Sequence, residues 1–123
     1  MSRYGLELIL DLKACDIGKF NRKTIKSYCV GLCDLIGMKP EDLYFWDDFR
    51  LPKDKRQTSP KTKGTTAIQF ILTSNITIHT LDILGVVFIN IFSCKDFDID
   101  IATSYTKEFF GAKKCRSTVI ERG

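Results

Sequence analysis

The apolar positions of this chain change their period several times, and each change predicts an element. In GLELILDLK, residues 5–13, Leu6, Leu8, Leu10 and Leu12 alternate with Glu7, Asp11 and Lys13, the two-residue period of a half-buried strand. From about Asn21 the spacing becomes helical, with Ile25, Cys29, Leu32, Cys33 and Ile36 on one face and Gly37 and Pro40 at its end. The aromatic run LYFW, 43–46, reads as the next strand. FRLPKDKRQTSPKTKG, 49–64, has two prolines, many charges and few apolar side chains, and predicts a long, mobile loop. Three strand-like runs follow: TTAIQFILT (65–73), NITIHTL (75–81) and GVVFINIFSC (85–94). The breaks between them, at Ser74 and at Asp82-Ile83-Leu84, predict antiparallel hairpins. Phe97, Ile101, Tyr105 and Phe109, at four-residue steps, predict a second helix over 97–110 that Gly111 ends. KCRSTVIE, 114–121, predicts a last strand. Strands in this order with two amphipathic helices point to an α+β two-layer sandwich, a mainly antiparallel sheet with both helices on one face.

Composition narrows the class. At 123 residues the chain suits one domain, 1–123, with one core. Its 44% hydrophobic and 28% charged content is that of an ordinary soluble globular protein. No apolar run approaches membrane-spanning length, and the opening MSRYGLELILDLK has no charged-then-apolar signal pattern. The expectation is a cytoplasmic protein with no membrane partner. The net charge of +4 is concentrated in Arg50, Lys53, Lys55, Arg56, Lys61 and Lys63. That basic stretch holds no aromatic residue and no nucleic-acid motif, so it reads as a solvated insertion rather than a nucleic-acid contact. The five cysteines form no even disulfide framework. Cys29 and Cys33 share a predicted helix face, but no third or fourth ligand completes a metal site there, and packing is the expected role.

The candidate chemistry lies in LTSNITIHT, 72–80, and in Cys94. Taken singly, Ser74 is turn chemistry, His79 is a sheet histidine and Cys94 a core thiol. Together they put a hydroxyl, the only imidazole and a thiol on adjacent predicted strands. Activation of Ser74 or Cys94 by His79 as a hydrolase nucleophile lacks a G-x-S-x-G elbow and an orienting carboxylate. A serine that cuts its own chain fits better. Its hydroxyl attacks the preceding carbonyl, elimination breaks the chain, and hydrolysis leaves a pyruvoyl group on the new N-terminus. That chemistry needs a serine in a tight turn and a base for its α-proton, roles that suit Ser74 and His79.

TSNITIHT followed by GVVFINIFSC resembles the prokaryotic S-adenosylmethionine decarboxylases, which carry E-S-H-[IL]-[ST]-I-H-T-W-P-E, then G, then F-T-C. The spacings Ser74 to His79 and His79 to Cys94 match; the opening YGLELILDLKACD and the ending FFGAKKCRSTVIERG are also similar to the family's. The resemblance implies cleavage at Thr73–Ser74 into 1–73 and 74–123, with a covalent pyruvoyl group from Ser74 as cofactor and no metal. It implies that His79 removes the α-proton of Ser74, that Thr66 assists processing, and that Cys94 protonates the substrate carbon after carbon dioxide leaves. Phe49, in FRLP, matches the ring that stacks on adenine. The implied substrate amine condenses with the pyruvoyl ketone in a Schiff base. Loss of carbon dioxide then gives the aminopropyl donor for spermidine, in a homo-oligomer of two or more copies with shared sites.

This chain departs from the pattern at Thr73 (glutamate in the family), Asn75 (histidine) and IHTLDI (I-H-T-W-P-E). Ile83 stands where the family's glutamate binds ribose hydroxyls, and Asp82 is the nearest substitute. The loss weakens the substrate assignment more than the mechanism. Another amino acid such as ornithine or arginine, or an unprocessed non-catalytic homologue, stands as the alternative.

Overall fold

The structure, a computed structural model, describes residues 3–123. Its strands are β1 (Gly5–Lys13), β2 (Pro40–Trp46), β3 (Gly64–Ile71), β4 (Ser74–Leu81), β5 (Val86–Ser93) and β6 (Lys114–Arg122). Helix α1 (Arg22–Leu35) follows β1, and α2 (Ile99–Phe109) precedes β6. The strands form one sheet in the order β2-β3-β4-β5-β1-β6, each pair of neighbours antiparallel. This is the expected α+β sandwich with an open sheet.

The two-residue period decides what each face does. Leu8, Leu10, Leu12, Ile76, Ile78, Val87, Ile89 and Ile91 are buried in one core with Ile25, Tyr28, Cys29, Leu32 and Cys33 of α1. Each fully buried aliphatic side chain contributes roughly 1.5–3 kcal/mol. Asn21 caps α1, its side chain accepting from the Thr24 N–H at 2.9 Å, and Asp98 caps α2 in the same way through Ile101. The two helices meet where the Tyr28 hydroxyl and Thr106 Oγ1 share a buried hydrogen bond of 2.7 Å. On α2 the inward positions are Ala102 and Thr106, whereas Ile101 is 44% exposed. The four-residue step therefore identified the helix but misplaced two residues: Phe97 precedes the Asp98 cap, and Ile101 faces outward. Cys29 and Cys33 are wholly buried, and burial pushes their thiols up to about 12 and 11.

Neither helix covers the other face of the sheet. Tyr44, Trp46, Ile68, Phe70 and Phe88 are exposed there, beside Thr66, Thr77 and His79. Three further differences from the sequence reading have local causes. Strand β2 begins at Pro40, because a register shift between Pro40 and Leu43 lets this edge strand take in a proline and two acidic residues. The β3–β4 turn is Leu72–Thr73, and Ser74 is the first residue of β4 rather than the break itself. The basic loop is tied down: the Asp48 carboxylate accepts from the Gln57 N–H and from Lys63 Nζ, and Arg56 donates to the Leu51 and Phe49 carbonyls.

Candidate active site

Ile71 pairs with Ser74, which closes the β3–β4 hairpin with two residues, Leu72 and Thr73. Such loops ordinarily place glycine or asparagine at positive φ. Here Thr73 has φ 49°, a left-handed backbone that costs an L-residue roughly 1–2 kcal/mol and is an outlier for a β-branched side chain. The strained residue is the one whose carbonyl precedes Ser74. Ser74 itself is buried, and its Oγ accepts from the Cys94 main-chain N–H at 3.0 Å.

Cys94 follows the last residue of β5, with its Sγ 3.9 Å from the Leu72 carbonyl oxygen. Hydrogen bonds from the side chains of Thr73 and then Ser74 hold its thiol below the ordinary value, and Lys95 adds a favourable charge. Ser93, fully buried, donates to the Lys95 carbonyl at 2.6 Å and accepts from the Lys95 N–H at 3.1 Å. Lys95 Nζ in turn donates to the Gly37 carbonyl at 2.8 Å, just beyond α1.

Thr66 and His79 form a separate group. They are direct cross-strand partners, and Thr66 Oγ1 lies 3.1 Å from His79 Nδ1. They line a concavity of about 430 Å³ with Trp46 and Gln57. The extended strand keeps this pair away from Ser74: five residues at ~3.3 Å each span about 17 Å, and an odd spacing puts the two side chains on opposite faces. The nearness of Ser74 and His79 in the sequence is thus not nearness in one chain.

Phe49 and Asp82 lie at the same end of the sheet as His79, lining a second concavity of about 350 Å³ with Phe20, Arg22, Asp48 and Lys63. Phe49 is 73% exposed, with the Arg56 guanidinium 6.0 Å from its ring centre. Asp82 Oδ1 is buried without a hydrogen-bond partner. Burial pushes that carboxyl up, Asp48 and Asp47 add to the rise, and Lys63 opposes it. Asp47 is held low mainly by Arg22, which donates to it at 2.7 Å, and Asp48 by the Gln57 N–H. Sequence reasoning missed Trp46. Its signal was the alternation of Tyr44 and Trp46, which puts the only tryptophan opposite Thr66. Among the described residues no group of three or more His, Cys, Asp or Glu side chains is arranged to hold a metal. No helix among them is long and apolar enough to cross a membrane.

This open antiparallel sheet, with two helices on one face, is the fold of a class of small decarboxylases. The crystal structure of the adenosylmethionine decarboxylase from Aquifex aeolicus VF5 matches with a TM-score of 0.78 at 21% identity, over 100% of this chain and 93% of that one. The family model of S-adenosylmethionine decarboxylase matches residues 6–123, and the chain belongs to that family. No curated protein sequence matches it.

Proposed function

We propose that this chain is a self-processing, pyruvoyl-dependent decarboxylase of S-adenosylmethionine, cut between Thr73 and Ser74 into residues 1–73 and 74–123. The observation that carries the reading is the left-handed Thr73 directly before the buried Ser74 hydroxyl. Backbone strain in the residue that carries the attacked carbonyl can be released when the chain is cut beside it. The residues present fit a pyruvoyl group at Ser74: the turn supplies a hydroxyl beside a carbonyl, and the Cys94 thiol, lowered by its neighbours, stands next to it. When formed, that group supplies a ketone that condenses with the substrate amine and accepts the electrons released with carbon dioxide. Cys94 then delivers a proton to the substrate carbon. The product is the aminopropyl donor for spermidine, made by a cytoplasmic enzyme.

The remaining roles fall to a second copy. His79, held by Thr66, is the base for the α-proton of Ser74, yet about 17 Å of strand separates them within one chain. When two copies pack their open sheet faces about a two-fold axis, the β4 strands cross in opposite senses. The Ser74 end of each then lies over the partner's His79. Such a dimer also covers the exposed Tyr44, Ile68, Phe70 and Phe88, and brings the partner's Phe49 and the partner's Asp82 to the substrate. The α-hydrogen of a strand residue points toward the neighbouring strand and does not follow its side chain under the helices.

A second reading keeps the chemistry and changes the substrate to ornithine or arginine. Ile83 favours it: 56% exposed in the β4–β5 turn, it offers no acceptor to a ribose hydroxyl. Release of carbon dioxide from each candidate substrate decides between them.

Intact mass of the denatured protein is the direct test. Two pieces, the second beginning with a pyruvoyl group, are expected, whereas Ser74→Ala is expected to stay a single 14.1 kDa chain without activity. His79→Ala alone is expected not to cleave, but co-expression with Ser74→Ala is expected to restore cleavage of the His79→Ala copies. A single uncut wild-type chain points to a non-catalytic homologue. Failure of the mixture would remove the shared site.

A further inference from the structure

We infer that Ser93 is a positioning residue for cleavage at Thr73–Ser74, acting through the main-chain N–H of Cys94. The inference rests on the reading of Ser74 as the cleaved residue and adds a residue to it. The inward positions of β5 run Val87, Ile89, Ile91 and then Ser93, all fully buried. A buried face of this kind asks for an aliphatic side chain at its fourth position, and a hydroxyl there carries a desolvation cost unless it is bonded. Ser93 uses its hydroxyl both ways on one residue, donating to the Lys95 carbonyl at 2.6 Å and accepting from the Lys95 N–H at 3.1 Å. The chain is thereby bent into a small ring with Cys94 at its apex. At that apex the Cys94 N–H meets Ser74 Oγ at 3.0 Å and the thiol turns to the Leu72 carbonyl. Lys95 pins the far side of the ring to Gly37 at 2.8 Å.

The cleavage steps show why that N–H matters. Ser74 Oγ forms a bond to the Thr73 carbonyl carbon, the peptide C–N bond breaks, and the hydroxyl proton passes to the Ser74 nitrogen. A base then takes the α-hydrogen and the Cβ–Oγ bond breaks, its electron pair leaving on Oγ as part of the Thr73 carboxylate. Water hydrolyses the remaining dehydroalanine, whose nitrogen departs as ammonia and whose carbons become the ketone. Throughout, the Cys94 N–H faces the same Oγ, the atom on which negative charge collects when the chain separates. A fixed donor at such an atom acts on the transition state more than on the ground state.

The test compares the cleavage rates of S93A, S93V and S93T by intact mass. Valine and threonine have nearly the same shape and differ in the hydroxyl, so the pair remains informative even if S93A does not fold. Loss of one positioned donor costs about 10²–10³ in rate; acting at one remove, S93A and S93V are expected to cleave about 10–100-fold more slowly, with S93T near wild type. The pH midpoint of Cys94 alkylation, compared between S74A and S74A/S93V, is expected to rise, which a loss of packing alone would not cause. Wild-type speed in S93V, or equal slowing in S93T and S93V, overturns the inference. If the wild-type chain itself is not cut, the Ser74 reading has failed, and the alkylation midpoint alone decides whether Ser93 sets the position of Cys94.

Discussion

Replacing Thr73 by glycine separates strain from chemistry at the hairpin. The left-handed conformation at φ 49° costs threonine roughly 1–2 kcal/mol and costs glycine almost nothing. Glycine also loses about 0.5–1 kcal/mol through the greater freedom of the unfolded chain. The folded precursor is therefore expected to gain about 0.5–1 kcal/mol net, a rise of about 2–4 °C in melting temperature for a chain of this size. That comparison belongs in the uncut background, T73G/S74A against S74A. If the strain is released in the transition state for cleavage, losing 1–2 kcal/mol of it slows T73G by about 5–30-fold. The assay is intact mass against time after rapid purification of precursor. Glycine also removes the Thr73 hydroxyl, which donates to the Leu72 carbonyl at 2.8 Å and supports the Cys94 thiolate. T73N, which tolerates the left-handed region and keeps a polar side chain, controls for that and is expected to be slowed as well. A more stable T73G that cleaves at the wild-type rate would refute the reasoning, because the strain would then be present but unused.

Two further predictions concern titration. Iodoacetamide is expected to modify Cys94 first and at a pH below the ordinary thiol range, while burial keeps Cys15, Cys29 and Cys33, at about 11 to 12, unreactive in the folded chain; peptide mapping after partial alkylation reads the order. Asp47 and Asp48, held low by Arg22 and by the Gln57 N–H, stabilise the fold above the unfolded aspartate value near 3.8, and that contribution is lost as pH falls through their lower folded values. Asp82 has the opposite sign. Its raised carboxyl costs stability when ionised and ceases to below about 3.8, so D82N is expected to raise the melting temperature of S74A at pH 7 and leave it unchanged at pH 3. Melts of S74A, S74A/D48N and S74A/D82N across that range check both signs, and D82N destabilised at pH 7 would contradict the burial argument.

Most of the architecture was legible because one face of every central strand is buried. The four alternating leucines of β1 are all buried, and the helical spacing of Ile25, Cys29, Leu32 and Cys33 is the buried stripe of α1. What pattern could not supply was anything set across the chain. The basic loop looked mobile because charge and proline carry no record of a partner, and its anchor, Asp48, lies just outside the charged run. The separation of Ser74 from His79 was legible in principle. Once both are placed on one strand, an odd spacing of five means opposite faces and opposite ends. The motif drew the two residues together in sequence, and only the strand's geometry moves them apart.

The strand order carries a consequence for folding. A cut after Thr73 assigns β1, β2 and β3 to one piece and β4, β5 and β6 to the other. Across the sheet the two pieces are interleaved, with β1 held between β5 and β6 of the other piece and β3 against its β4. Neither fragment holds a complete sheet, and each supplies strands the other needs, so the halves are interlocked like the fingers of two hands. The uncut chain folds as one molecule at a rate independent of concentration. Once severed and denatured, the halves must first find each other, and recovery becomes second order. Heat or denaturant from which the uncut chain recovers at any concentration is therefore expected to inactivate a cleaved form lastingly when it is dilute.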